Sequence, residues 1–148
     1  MVKGELDTRV YFVSISGFDT HANQLGQHER LLGVVGDALL NFQRRLTLDG
    51  TSERVVTLVF SEFGRRVAQN ESGGTDHGTA NPVFLLGDAV QPGLFGSAPN
   101  LANLADGDLR HEIDFRTVYA TILGDWFHAD PLPVLGGSFG AVPIIGRR

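Results

Sequence analysis

Residues 54–87, RVVTLVFSEFGRRVAQNESGGTDHGTANPVFLLG, decide how the chain is read. The two ends, RVVTLVF (54–60) and NPVFLLG (81–87), are short apolar runs with the β-branched content of buried strands. Between them lie Glu62, Arg65, Asp76 and His77, in a segment that reads as a Gly-rich loop leaving the end of a strand. Such a loop costs backbone entropy to order. In GGTDHG, Gly73, Gly74 and Gly78 allow positive φ and close backbone approach around an Asp-His pair, which a plain exposed turn does not need.

Working outward, RVYFVSISGF (9–18) is β-branched and aromatic and ends at a glycine turn, so it reads as a first buried strand. FDTHANQ follows as a loop. In residues 24–46, Leu31, Leu32, Val35, Leu39, Phe42 and Leu46 recur every three or four positions, the spacing of an amphipathic helix stopped by Asp49 and Gly50. Residues 88–108, rich in Gly, Pro and Asn, read as a long surface loop. DFRTVYATILGDWF (114–127) returns to helical spacing with Asp114 as its cap, and the Pro/Gly-punctuated tail reads as irregular. The order strand, helix, strand, strand, helix predicts an α/β fold with a mostly parallel sheet and helices on its faces, in a single domain spanning 1–148. Ligands of such sheets bind beyond the carboxyl ends of the strands. Asp19 and His21 follow the first strand, Glu62 follows the second, and Asp76 and His77 precede the third, so all five converge if the loop folds back over that edge.

Bulk composition narrows the partners. A net charge of −5, with basic pairs only at Arg44-Arg45, Arg65-Arg66 and Arg147-Arg148, argues against nucleic acid. No apolar run approaches the ~20 residues that span a bilayer, so no membrane partner is expected. The absence of cysteine excludes thiolate nucleophiles and Cys-ligated zinc, leaving oxygen and imidazole to hold any metal. The first residues lack a signal peptide's apolar core, so the chain as written reads as cytoplasmic unless a leader has been removed.

Each cluster has a plainer reading beside the chemical one. Asp19 and His21, one residue apart, can chelate one ion or can serve as a turn and cap for the helix that follows. Glu62 can be a ligand or a strand-end carboxylate paired with Arg65 or Arg66. His28 reads as part of a solvated helix face or as a group just outside the ligands, and His111 and His128 read as surface or capping residues. Taken jointly, Asp19, His21, Glu62, Asp76 and His77 form a thiol-free ligand set that suits a divalent ion such as Zn²⁺, Mn²⁺ or Ca²⁺.

In order and spacing, GFDTHANQ, VFSEFGR, GGTDHG, NPVFLLGDAVQPGLFG, DFRTVYATIL and VLGG resemble the carboxyl-terminal part of the secreted bacterial proteins grouped as domain-of-unknown-function family 1501, within the alkaline phosphatase and sulfatase-like superfamily. The resemblance implies an alkaline phosphatase-like partial sandwich with metals at the strand ends. By that pattern Asp19 and His21 are first-site ligands completed by His77, Glu62 opens a second acidic site, and Asp76 is a neighbour or an extra ligand. Relatives are often exported. The chain departs from the pattern in its tight Asp19-to-His21 spacing and in Phe63, which stands where a metal-binding His is expected. The nucleophile-bearing half of the sheet has no counterpart in residues 1–18, so either the chain is a fragment or it works without a covalent nucleophile.

The function expected on this basis is that of a metal-dependent hydrolase acting on a small-molecule ester. Phosphate or sulfate esters follow from the resemblance, and carboxylic esters or lactones from general metal chemistry. Glu62 or Asp76 would accept a proton, and Arg65 would stabilise the developing anion. The rival expectations are a non-catalytic metal-binding or interaction module left from a larger hydrolase and a purely structural domain. A homo-oligomer is expected to cover the open edge of so small a sheet.

Overall fold

The computed structural model describes residues 7–146, so that residues 1–6, part of the amino terminus read above, and the Arg147-Arg148 pair lie outside the described residues. The sheet differs from the expected one. Among the described residues two antiparallel two-stranded sheets replace a mostly parallel sheet, and they do not form the alkaline phosphatase-like sandwich. β1 (Thr57–Val59) pairs with β4 (Phe84–Leu86), Leu58 facing Leu85. β2 (Gly64–Gln69) pairs with β3 (Thr75–Gly78), Arg65 facing His77. One hairpin is thus nested inside another. The reason is connectivity: a parallel return needs a crossover of a dozen or more residues, normally helical, and the segment between β1 and β4 folds into its own hairpin instead. The stretch read as a loop is therefore mostly strand and tight turn.

The expected first strand also fails. Residues 9–18 join neither sheet, and Val10, Phe12 and Val13 are exposed. Arg9 holds this segment beside Phe127, with its guanidinium 4.9 Å from the centre of that ring, and the ring centres of Phe12 and Phe60 lie 6.5 Å apart.

The helices follow the sequence more closely. α1 (Gln24–Leu48) stops at Asp49 and Gly50, where Gly50 takes φ 65° and Thr51 N–H bonds back to Leu46 O. Its start is capped from outside, since Asn23 makes no side-chain cap and the N–H groups of Asn23 and Gln24 donate to Ser72 O and Gly73 O in the β2–β3 turn. α2 (Phe115–Thr121) is capped by Asp114, which accepts Arg116 N–H, and it runs on as a π-helical turn over Ile122–Trp126. The Arg116 side chain, and then its backbone N–H, hold the Asp114 carboxyl down at about 2, so the cap is retained until strongly acid pH. The tail adds one short helix, α3 (Leu132–Leu135).

The core lies between β1–β4, α2 and the tail, where Val118, Val142, Ile144 and Ile145 are buried against Leu58, Leu85 and Ile113. One polar group is built into it. Thr121, 1% exposed, donates its hydroxyl to Thr117 O and accepts the buried N–H of Val142, at 2.9 Å each. Thr121→Val keeps the shape but leaves that N–H unpaired, and we expect a loss of about 1–3 kcal/mol, read as a lower urea midpoint with an unchanged slope. Thr121→Ser, which keeps the hydroxyl, should lose less.

Candidate metal centre

The site sits where the loop ahead of α1 meets the β2–β3 hairpin. The hairpin turn is built by Asn70, whose side-chain oxygen accepts the N–H groups of Ser72 and Gly74 at 3.0 Å each. Its amide nitrogen donates to His21 O at 2.9 Å, so one side chain both closes the turn and fixes the backbone of the facing loop. Gly74 permits the contact: a Cβ there would lie 2.3 Å from the carbonyl carbon of His21. Gln24 adds a side-chain link, donating to the Thr20 hydroxyl and accepting from the Thr75 hydroxyl at 3.0 Å each.

On this frame Asp19, His21 and His77 come together. Asp19 Oδ1 is 2.7 Å from His77 Nε2 and 3.0 Å from His21 Nε2, and the two Nε2 atoms are 3.2 Å apart. Asp19 is the central residue of a tight turn in which Thr20 N–H donates to Phe18 O at 2.9 Å, and His21 follows as a bend. All three side chains are about half exposed. The hydrogen bond with His77 outweighs desolvation and holds the Asp19 carboxyl below its ordinary value.

Asp76 stands on the far side of His21, its Oδ1 3.4 Å from Nδ1. Alternation along β3 would send Asp76 and His77 to opposite faces, but β2 bulges opposite Asp76, between the Arg65–His77 and Gln69–Thr75 pairs, and both side chains meet His21. Glu62 is exposed, stands outside the group, and makes no ion pair with Arg65 or Arg66 among the described residues. Arg66 donates to Asp106 O. Arg65 donates to Thr75 O at 2.7 Å and to Phe18 O, and it lies 3.7 Å from Asp19 Oδ1. Its end groups thus tie β3 to the loop ahead of α1 rather than facing open space.

Sequence reasoning missed Asn70 and Asp108. Asp108, buried, accepts the N–H groups of Thr79 and Leu109 at 2.8 Å each and anchors the exit of β3. An Asn opening a Gly-rich turn and an Asp after Asp106-Gly107 are turn signals that could have marked both.

Three of the expected ligands can hold one ion. Two ligands each ~2.05 Å from a metal stand about 2.9 Å apart at a right angle and about 3.3 Å at the tetrahedral angle, values that bracket most of the observed triangle. His21 has the arrangement usual for a metal-bound imidazole, its second ring nitrogen facing a carboxylate.

Among the described residues no helix is long and apolar enough to cross a membrane. No curated protein and no solved structure matches the chain. A family model does match, over residues 4–131, and it is that of a protein of unknown function, DUF1501. With most of its length covered and the site residues Asp19, His21 and His77 inside the matched span, the chain belongs to the DUF1501 family.

Proposed function

We propose that the protein is a metal-dependent hydrolase of ester bonds, with Asp19, His21 and His77 as the ligands of one divalent ion. The observation that carries this reading is the triangle of 2.7, 3.0 and 3.2 Å among three atoms able to donate lone pairs. When Nδ1–H of His21 faces Asp76, its Nε2 carries a lone pair aimed at the Asp19 carboxylate. Such convergence is repulsive unless a proton or a cation lies between the groups. Two imidazoles and one carboxylate suit Zn²⁺ or Mn²⁺ better than Ca²⁺, which prefers an all-oxygen shell.

When bound, the ion supplies Lewis acidity toward an ester oxygen and toward water. The chain's own part is to hold the ligands and to accept a proton. Of the two acids considered for that task, Asp76 alone touches the triad, and its exposure leaves it open to solvent. The motif resemblance to alkaline phosphatase and sulfatase-like hydrolases, to their carboxyl-terminal part in particular, supports phosphate or sulfate esters as substrates. The half-exposure of every ligand favours a second reading, a non-catalytic metal-binding module, because an open site screens the charges that catalysis relies on.

Turnover of 4-nitrophenyl phosphate, sulfate and acetate separates the two. We expect hydrolysis of at least one ester with Zn²⁺ or Mn²⁺, lost in chelator and restored by the ion. Stoichiometric metal uptake with no turnover of any of the three would establish the binding module instead.

A further inference from the structure

We propose that Phe63 is a positioning residue that sets the ring plane of His77, an inference that rests on His77 being a metal ligand. The two imidazoles of the triad are oriented by different means. His21 has a carboxylate at its Nδ1, whereas Nδ1 of His77 has no hydrogen-bond partner among the described residues. A histidine ring turns about a broad torsional well, so the backbone of β3 fixes where His77 begins but not where its Nε2 points.

Phe63 supplies the missing constraint. Its ring stacks on His77 with centroids 3.7 Å apart and planes 8° from parallel. At that separation, tilting either ring brings its edge into the other, which holds the imidazole plane and leaves Nε2 directed at Asp19 Oδ1. Phe63 is itself held. Its carbonyl accepts the Ser61 hydroxyl at 2.8 Å, and the Arg65 guanidinium lies 5.0 Å from its ring centre. Since Arg65 is anchored on Thr75 O and Phe18 O, a continuous column runs from the backbone of both ligand-bearing segments, through Arg65 and Phe63, to His77.

The test compares Phe63→Leu, which keeps apolar bulk without a flat ring, with Phe63→Tyr, which keeps the ring. Two readings are taken: Zn²⁺ affinity by competition with a chromophoric chelator, and the proton resonances of the His77 ring in chelator-treated protein, which a stacked ring shifts upfield. For Phe63→Leu we expect Zn²⁺ affinity about tenfold weaker or more, the effect typical of groups that orient a metal ligand, and loss of the upfield shift. Phe63→Tyr should hold affinity within about threefold and keep the shift. Wild-type affinity or an unmoved His77 resonance in Phe63→Leu would overturn the role of Phe63 alone. Wild-type protein that takes up no Zn²⁺ would overturn the metal reading with it. A Phe63→Leu melting temperature lowered equally in chelator and in Zn²⁺ would mark a general packing role and also overturn the proposal.

Discussion

We expect His77→Ala to abolish Zn²⁺ uptake, with affinity falling at least ~100-fold, while the chelator-treated protein melts close to the wild type. The size of the loss follows from the donor count: His77 Nε2 is one of three candidate ligand atoms, and its 2.7 and 3.2 Å contacts are two edges of the triangle. The small effect on the metal-free fold follows from location. His77 is exposed on β3, and the core formed by Val118, Val142, Ile144 and Ile145 does not include it. Ligand binding to the native state alone stabilises by mass action, about 2.7 kcal/mol at a concentration 100 times the dissociation constant, so a zinc-dependent rise in melting temperature should be present in the wild type and absent from the variant. Elemental analysis provides the second measure. Unchanged metal stoichiometry in His77→Ala would refute the assignment of the ligands.

Gly74→Ala is expected to separate the hairpin from the loop ahead of α1. The added methyl would stand 2.3 Å from the His21 carbonyl carbon, 2.4 Å from its oxygen and 2.6 Å from Ala22 N, all backbone atoms that cannot swing aside. Relief requires the two segments to part. That breaks the bonds from Asn23 N–H to Ser72 O, from Gln24 N–H to Gly73 O and from Asn70 to His21 O. We expect a cost of order 3 kcal/mol together with loss of metal affinity, because Asp19 and His21 lie on one side of the seam and His77 on the other. Gly36→Ala is the control: nothing lies within 4 Å of its Cβ position in α1, so it should leave metal affinity unchanged and stabilise the helix by about 0.5–1 kcal/mol. Equal behaviour of the two variants would show that the close approach at Gly74 is not needed.

What the sequence revealed and what it hid have separate physical causes. α1, its stop at Asp49 and Gly50, and the Asp114 cap of α2 are local features, each determined by residues within a turn or two, and each was legible. Strand partners are not local. RVYFVSISGF has the composition of a buried strand, but composition does not say what it pairs with, and its backbone joins no ladder among the described residues. The β2–β3 hairpin escaped notice for the opposite reason, since GRRVAQ and TDHG are polar and carry no apolar alternation. Asp19, His21, Asp76 and His77 do come together, although a hairpin turn brings them there and not the end of a parallel sheet. Glu62 stands outside the triad because it precedes β2 instead of lying on the hairpin.

The carbonyls of Ser72 and Gly73 that receive the first N–H groups of α1 make the helix start and the hairpin a single closure, and this bears on the order of folding. Asn70 and His21 are 49 positions apart, and joining points so distant costs roughly 3.4 kcal/mol of chain entropy beyond the constant of ring closure. The α1 turns and the hairpin can each form from near neighbours, whereas this seam can form only after both exist. The triad therefore assembles only once the start of α1 and the hairpin have met, and any opening of the seam takes it apart. Amide exchange at Asn23 and Gln24, whose protons are held across that seam, should register each opening, and an ion bridging the seam would prolong the closed state.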